Sequence, residues 1–170
     1  MKSTIPTKRV LACDPGFERL GIAVVEKSVG KEVVLYSTCV RTPSTLPFSQ
    51  RLRALGEAVE VLIAEWKPTC MALEEIFFEK NAKTAIGVAQ VRGMLAYSAA
   101  LHDLPVESYT PLQVKVATTG YGKSTKTQMA TMVARLVVLP ARKRLDDELD
   151  AIAIGLTSLA SIRYPHTQQG

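Results

Sequence analysis

The chain has 170 residues, of which 47% are hydrophobic and 22% are charged, and its formal net charge is +5. This composition is typical of a folded domain of ordinary size, and it excludes a disordered or low-complexity chain. No apolar run approaches the roughly 18 residues that a membrane span needs, so we expect no membrane partner.

The first half of the chain predicts an antiparallel β-meander followed by a helix and a fourth strand. Short apolar or β-branched runs separated by turn residues predict strands over residues 9–13, 21–26 and 32–41. A helical period of apolar residues predicts a helix over residues 49–66, and a short buried strand follows over residues 70–75.

The second half predicts four more helices around one more strand. The predicted elements are, in chain order, a helix over residues 84–102 that is rich in small side chains, a strand over residues 105–109, a short helix over residues 111–117, a helix that Ser124 caps and Pro140 ends, and a helix over residues 145–164. This order predicts an α/β fold with a mixed five-stranded sheet flanked by helices.

No linker or internal repeat divides the chain. We therefore expect one domain over residues 1–164 and a loose C-terminal tail over residues 165–170. The three cysteines, Cys13, Cys39 and Cys70, form no CxxC pair and lie among apolar neighbours. They are typical of reduced thiols in a cytoplasmic protein, and they do not support a disulfide framework or a zinc site.

Positive charge is concentrated in one segment. Residues 108–145 include seven basic residues and no acidic one, whereas the rest of the chain has 14 basic and 16 acidic residues. Clustered cations suit a polyanion such as nucleic acid, because each neutralised phosphate releases condensed counterions. A solvated basic surface is the alternative explanation.

Two acidic residues end short apolar strands. Asp14 follows the first strand and precedes a Pro-Gly turn, and Glu74 ends the fourth strand. Residues at these strand ends lie at the mouth of an α/β sheet, where ligands bind, although turn chemistry alone also favours Asp14. Glu75 must point to the opposite face from Glu74, because strand side chains alternate. Asp14 and Glu74 would share a site if their strands are neighbours.

Four acidic residues, Asp146, Asp147, Glu148 and Asp150, lie at the start of the last predicted helix. Acids in a first helical turn stabilise the helix dipole by about 0.3–1 kcal/mol, which explains the first three without any further role. Asp150 instead begins an apolar run. It would share a helical face with Asp147 at i, i+3, or with Asp146 at i, i+4.

Carboxylates that share a site repel one another unless a cation lies between them. Oxygen donors suit a hard cation, so we expect Mg²⁺, with Mn²⁺ as a substitute. Two such ions about 3.5–4 Å apart can activate water and stabilise the leaving oxygen of a phosphodiester. Carboxylates beside an acid-free basic segment therefore predict a metal-dependent nuclease.

Several motifs, in matching order and spacing, resemble the RuvC family of Holliday-junction resolvases within the ribonuclease H-like superfamily. The resemblance extends from about Arg9 to Arg163. The residues that carry it are 12–16 (ACDPG) with Gly21, 72–77 (ALEEIF), 80–82 (KNA), 90–93 (QVRG), 113–115 (QVK), the glycine-lysine loop with Lys126, and Asp147 with 150–154 (DAIAI). It implies a ribonuclease H-like fold.

The resemblance also implies a function. It is that of an endonuclease that resolves Holliday junctions by paired symmetric nicks in DNA recombination and repair. Two Mg²⁺ ions per site would be held by Asp14, Glu74, Asp147 and Asp150, with Asp146 as the rival of Asp147. The implied partners are a four-way DNA junction, a second copy of the chain that packs along the helix over residues 84–101, and a branch-migration motor complex.

Several residues around these acids are expected to bind DNA. An aromatic residue beside a nuclease site can stack on an unpaired base, worth about 1–3 kcal/mol. The resemblance points to Phe77 for this role, and Phe78 is its alternative. Phosphate contacts are expected from lysine and amide groups beside this aromatic pair or at a helix N-terminus. The predicted DNA-binding residues are Phe77, Lys80, Asn81, Lys83, Lys115, Lys123 and Lys126.

Residues 142–144, with the sequence Arg-Lys-Arg, precede the helical acids. They either form a solvated loop or bring the DNA backbone to the metals.

Two other functions remain open from the sequence. A related RNA-processing nuclease of the same superfamily would share the strand pair around Asp14 and Gly21. A non-catalytic junction-binding protein would keep the fold, although the presence of all four acids argues against it. Cleavage of a four-way DNA junction, compared with a structured RNA, distinguishes these hypotheses.

Overall fold

The computed structural model describes residues 7–28, 31–76, 82–139 and 142–161. Five strands and five helices lie in this part of the chain. They are, in order, β1 (Arg9–Asp14), β2 (Arg19–Ser28), β3 (Lys31–Arg41), α1 (Phe48–Trp66), β4 (Cys70–Glu74), α2 (Ala82–Leu101), β5 (Val106–Tyr109), α3 (Pro111–Thr119), α4 (Lys126–Leu136) and α5 (Asp146–Ala160). None of the described helices has both the length and the apolar character needed to cross a membrane.

The five strands form one mixed sheet in the order β3-β2-β1-β4-β5. β1, β2 and β3 are antiparallel neighbours, which confirms the predicted meander. β4 is parallel to both β1 and β5. The helices α1 and α2 make the crossovers that parallel pairing requires. The predicted α/β fold with a mixed five-stranded sheet is therefore confirmed.

The sheet carries two separate cores, because strand side chains alternate between its faces. On one face, which we call the α5 face, small side chains such as Ala12 and Ala72 pack against the apolar side of α5. On the other, the α1/α2 face, large side chains such as Leu11, Ile22 and Leu73 pack against α1 and α2. The strands are thus sandwiched between helices that meet them in different ways.

Two glycines allow α5 to lie unusually close to β1 and β2. A Cβ atom added to Gly21 would overlap the backbone carbonyl of Asp147. A Cβ atom added to Gly155 would lie 2.6 Å from a methyl carbon of Val25 and 3.2 Å from Cβ of Ala12. Any larger residue at either position would push α5 away from the sheet.

The N-terminus of α4 differs from its prediction by one residue. Thr125 caps the helix, because its hydroxyl accepts from the backbone N–H of Gln128 while the Gln128 side chain accepts from the N–H of Thr125. The predicted cap, Ser124, is wrong. Its hydroxyl lies against Thr119 and donates to the carbonyl of Tyr121, so it closes the preceding loop instead.

Two helix ends also differ from their predictions. α4 ends at Leu136 rather than at Pro140, because Val137 is extended and buries its side chain in the core on the α5 face. α5 begins at Asp146, since Leu145 has an extended conformation, and it ends at Ala160. The predicted continuation over residues 162–164 and the predicted tail over residues 165–170 lie outside the described residues.

Candidate active site

Asp14 and Glu74 lie side by side at the C-terminal ends of two parallel strands. β1 and β4 are hydrogen-bonded neighbours, and Cys13 is aligned with Leu73 immediately before the two acids. Each acid comes two residues after an alanine that packs on the α5 face. Both carboxylates therefore project toward α5, as the strand alternation requires.

The first turns of α5 bring Asp147 and Asp150 to the same strand ends. The backbone of Asp147 lies against Gly21, and Gly21 is paired with Asp14 across β1 and β2. Asp150 is three residues further along the helix, so it shares a face with Asp147. One β-strand neighbour pair and one helix thus bring all four predicted acids to one cleft.

The acids of the cleft influence one another electrostatically. Burial raises the pKa of Asp14 to about 7, and repulsion by the other three acids, led by Asp150, adds to this effect. Burial and repulsion by Asp150 also raise the pKa of Glu74 to about 7. Burial raises the pKa of Asp150 in the same direction, although Lys126 opposes the rise. The cleft therefore concentrates negative charge that its surroundings do not neutralise.

Lysines from α3 and α4 lie on the β4 side of this cleft. Lys126 Nζ is 3.7 Å from Asp150 Oδ2, and its side chain is 80% exposed. The positive charges of Lys115 and Lys126 lower the pKa of Glu74 and so partly offset the effect of burial. Lys123 is exposed in the loop before α4 and forms no hydrogen bond or ion pair within the described ranges. We call Lys115 and Lys126 the lysine side of the cleft.

The donor set has the chemistry of a site for hard divalent cations. Carboxylate oxygens are the ligands that Mg²⁺ and Mn²⁺ prefer. Within the described part of the chain, the buried Oδ2 atom of Asp147 has no hydrogen bond, and its ion-pair partner Arg19 places Nη1 3.4 Å away. This buried carboxylate oxygen, which has a long ion pair but no hydrogen bond, fits a position that a cation would fill.

The carboxylates do not form a finished metal cage. Across residues 7–28, 31–76, 82–139 and 142–161, no three acidic, histidine or cysteine side chains are grouped closely enough to hold one ion. Like charges repel, and Arg19 and Lys126 each draw one carboxylate toward themselves. Binding of a cation would therefore require side-chain rotation toward the centre of the cleft.

Two neighbouring acids, Asp146 and Glu75, occupy different positions from the four. Asp146 is exposed in the first turn of α5, and its charge raises the pKa of Asp150. The charge of Asp147 raises the pKa of both Asp14 and Asp150. Glu75 is exposed beyond the end of β4, and its backbone N–H donates to the carbonyl of Tyr109. Asp147 therefore interacts electrostatically with more of the acids than Asp146 does, which agrees with the predicted i, i+3 pair.

Glu148 has a structural role that the sequence did not reveal. It is buried, and its Oε2 atom accepts from Arg142 Nη2 at 2.6 Å and from the Ser37 hydroxyl at 3.1 Å. Burial alone would raise the pKa of Glu148, but these hydrogen bonds hold that pKa below its usual range. The explanation of Glu148 by the helix dipole alone is therefore wrong.

The basic segment before α5 is held by the same contacts. Arg142 Nη2 also donates to the carbonyl of Ser37 at 2.8 Å, and Arg144 Nε lies 3.4 Å from the Ser37 hydroxyl. Arg142 thus ties the start of α5 to β3, which neither predicted alternative for residues 142–144 described. No sequence signal marks this contact, because Ser37 and Glu148 are 111 residues apart.

The remaining predicted DNA-binding residues are not placed. Phe77, Phe78, Lys80 and Asn81 lie outside the described residues. Lys83 lies in α2, and its side chain is outside the described set.

Comparison with known proteins identifies one family. A family model described as crossover junction endodeoxyribonuclease RuvC matches residues 10–158. A RuvC from Leifsonia xyli is 42% identical over 151 residues, which cover 88% of this chain and 73% of that relative. A RuvC from Desulforamulus reducens is 41% identical over 147 residues, which cover 86% of this chain and 90% of that relative.

A solved structure agrees with these matches. It is Thermus thermophilus RuvC in complex with Holliday junction substrate, with a TM-score of 0.82 and 32% sequence identity. The match covers 88% of this chain and 92% of the Thermus chain. The resemblance inferred from the motifs and the ribonuclease H-like fold that it implies are thereby confirmed. The chain belongs to the RuvC family of crossover junction endodeoxyribonucleases.

Proposed function

We propose that this protein resolves Holliday junctions by paired nicks, with Asp14, Glu74, Asp147 and Asp150 as its catalytic acids. One observation carries the assignment of the acids. Two strand ends and one helix converge so that burial and mutual repulsion raise the pKa of Asp14 and of Glu74 to about 7. Unrelated surface acids do not create such a field, whereas perturbed carboxylates in a cleft are typical of functional sites.

The proposed cofactor is a pair of Mg²⁺ ions, with Mn²⁺ as a substitute. When bound, two such ions would activate the attacking water and stabilise the leaving 3′ oxygen of the phosphodiester. The four carboxylates supply hard oxygen ligands, and the Oδ2 atom of Asp147, which has no hydrogen bond, would supply one of these bonds. The cations would in turn relieve the repulsion that the acids exert on one another.

The side chains of the cleft would also move protons and hold DNA. The Asp150 side chain is 38% exposed, compared with 22% for Asp147, so its carboxylate is the better placed of the two to accept a proton from water. The lysine side would bind phosphates of the cleaved strand, since ammonium groups attract phosphate oxygens. The residues proposed to extend this DNA contact are Phe77, Lys80, Asn81, Lys83 and Lys123.

A homodimer would supply the two sites that paired nicks require. α2 supports this proposal, because Ile86 and Tyr97 are exposed on the same side of the helix as Gly93. A Cβ atom added to Gly93 would meet no atom within 4 Å, so this side of α2 is open to a second copy. Light scattering tests the dimer. A branch-migration motor complex is a further proposed partner, on the basis of the family resemblance.

The decisive experiment is incubation of the protein with a synthetic four-way DNA junction, with and without Mg²⁺. We expect paired symmetric nicks only with the metal. Asp14→Asn should abolish nicking and leave junction binding intact, because the fold and the lysine side are unchanged. Glu75→Gln is the matched control, since it removes an exposed charge one residue beyond Glu74.

Three results would contradict the proposal. Cleavage of a structured RNA in preference to the junction would indicate an RNA-processing nuclease. Junction binding without cleavage in Mg²⁺ would indicate a non-catalytic binding protein. Nicking by Asp14→Asn above a few per cent of the wild-type rate would remove Asp14 from the catalytic set.

A further inference from the structure

Arg19 and Arg41 lie directly opposite each other on two antiparallel strands. Arg19 begins β2, Arg41 ends β3, and the two are partners in the β-ladder. The next pair on the same face is Gly21 with Cys39, and Gly21 lies beneath Asp147. Both arginines are therefore on the α5 face, beside the first turn of the helix that carries two of the acids.

This arginine pair is on the opposite side of the cleft from the lysines. The sheet order places β2 on one side of β1 and β4 on the other. Lys115 and Lys126 lower the pKa of Glu74, which ends β4. Arg19 instead forms an ion pair with Asp147 above β2. Asp14, at the end of β1, lies between the two sets of cations.

Folding stability does not explain the pair. Like charges directly opposite each other on neighbouring strands are destabilising. Arg19 is 51% exposed, and an exposed ion pair such as Arg19–Asp147 contributes little. Within the residues that the structure describes, the Arg41 side chain is exposed and has no hydrogen bond and no carboxylate partner. Two permanent positive charges thus lie on the same face of the sheet, and only Arg19 has a carboxylate partner among the described residues.

Both arginines influence one side chain on the α5 face, the thiol of Cys39. Burial and Asp147 raise the pKa of the Cys39 thiol, whereas Arg41 and Arg19 both act to lower it. Cys39 lies two residues before Arg41 on β3 and on the same face. The positive charges of both arginines therefore act on Cys39, a residue that Asp147 also influences.

The backbone that carries the pair is firmly held. Just after Arg41, the N–H of Thr42 donates to the carbonyl of Glu18, and the Thr42 hydroxyl donates to the carbonyl of Phe17. Arg51, which is buried, donates to the Thr42 hydroxyl at 2.9 Å and lies 3.8 Å from the centre of the Phe17 ring. The start of β2 and the end of β3 are thus fixed to each other before any ligand binds.

We propose that Arg19 and Arg41 form a phosphate-binding pair for the DNA strand that crosses the four acids. This inference rests on the proposed function and assigns contacts on the side of the cleft opposite the lysines. A guanidinium group matches phosphate oxygens through two parallel hydrogen bonds, and two such groups on a rigid strand pair suit a phosphodiester backbone. A strand bound by arginines on one side and lysines on the other would lie directly over the carboxylates.

The test measures binding of the full chain to a synthetic four-way junction over a range of salt concentrations, with a chelator present to prevent cleavage. The double variant Arg19→Gln/Arg41→Gln should bind on the order of 10-fold more weakly at low salt, with the log–log salt slope reduced by up to about 2. Arg53→Gln is the matched control. Arg53 is an exposed arginine of α1 on the opposite face of the sheet, paired with Glu57, and its removal should leave the slope unchanged.

Thermal melting provides a second readout that does not depend on DNA. Because the paired charges repel, Arg41→Gln should melt at the same temperature as the wild type or higher. A clearly lower Tm would show that Arg41 stabilises the fold, and it would overturn the inference. Arg41→Lys keeps the charge and should keep the salt slope.

The outcomes also separate this inference from the proposed function. If the wild type binds and nicks the junction while the double variant keeps the full salt slope, only the arginine pair is disproved. If the wild type neither binds nor nicks the junction, the proposed function fails and the inference fails with it.

Discussion

The two faces of the sheet are built from side chains of different size, and only one of them carries acids of the cleft. On the α1/α2 face, Leu11, Ile22 and Leu73 are fully buried against bulky residues of two helices. On the α5 face, alanines and glycines let the backbone of α5 approach the strands closely. Large buried side chains contribute most of the hydrophobic stabilisation, whereas a close backbone approach positions functional groups. The comparison separates residues that maintain the fold from residues that position the chemistry.

The largest effect is expected from Gly21→Ala, which would disturb both properties at once. The new Cβ would overlap the backbone of Asp147, so the start of α5 must move away from Asp14. We expect a loss of stability of about 1–3 kcal/mol and loss of nearly all junction cleavage. Melting and cleavage assays measure the two effects.

Gly56→Ala is the matched glycine control on the α1/α2 face. Its Cβ would lie 3.5 Å from the nearest atom, the sulfur of Met94, which is an ordinary contact. Alanine in place of a helical glycine should stabilise α1 by up to about 1 kcal/mol and leave cleavage unchanged. Equal harm from both substitutions would contradict the contrast between the faces.

Asp147→Asn should remove activity without removing the fold. The amide keeps the shape of the side chain but loses the anionic ligand, so metal-dependent nicking should fall to the background rate. Asp146→Asn should lower the melting temperature at most, because an acid in a first helical turn is worth about 0.3–1 kcal/mol. If Asp146→Asn is inactive and Asp147→Asn is active, the i, i+4 pair is the functional one.

Leu55→Ala should have the opposite profile. Leu55 is fully buried against the α1/α2 face, and truncation of such a leucine costs about 2–5 kcal/mol of folding free energy. Below its melting temperature, the folded variant should cleave junctions at the wild-type rate. A specific loss of cleavage at temperatures where circular dichroism shows native structure would mean that this face also positions the acids.

The last effect is a pH dependence that arises from the α5 face. The pKa values of Asp14 and Glu74 are raised to about 7 in the folded chain, compared with about 4 in an unfolded one. The folded state therefore holds these two protons more tightly, so the contribution of Asp14 and Glu74 to the stability of the metal-free protein is greatest below about pH 4 and is lost as the pH rises through about 7.

Melting curves recorded across this pH range in a chelator measure the effect. Asp14→Asn should flatten the dependence, whereas Leu55→Ala should lower the whole curve and keep its shape. Added Mg²⁺ should restore stability at neutral pH. A pH dependence of Tm that is the same in Asp14→Asn as in the wild type would contradict the electrostatics of the cleft.

The sequence predicted those features that depend on local order. An apolar run that ends in an acid located Asp14 and Glu74, and the helical period brought Asp147 and Asp150 to one face. The sequence did not predict the contacts that depend on strand register or long-range packing. The opposition of Arg19 and Arg41 requires the ladder between β2 and β3.

The sequence also did not predict which of two similar neighbouring residues takes a given structural role. Ser124 and Thr125 are adjacent and chemically similar, so spacing alone does not decide which one caps α4. The structure chooses Thr125 because Gln128 completes a reciprocal pair of hydrogen bonds with it. Likewise, Glu148 resembles any first-turn acid until Ser37 of β3 is brought beside it.

The contacts of Gly21 and Gly155 define the register of α5 at two points. Asp147 and Gly155 are eight residues apart, which is about 12 Å along the helix axis. Because α5 contacts the sheet at both of these positions, sliding or rotation of the helix would produce steric overlap at one of them. These two contacts therefore set the closest approach of the α5 backbone to the strands that carry Asp14 and Glu74. Ions of different radius would then be accommodated by rotation of the carboxylate side chains.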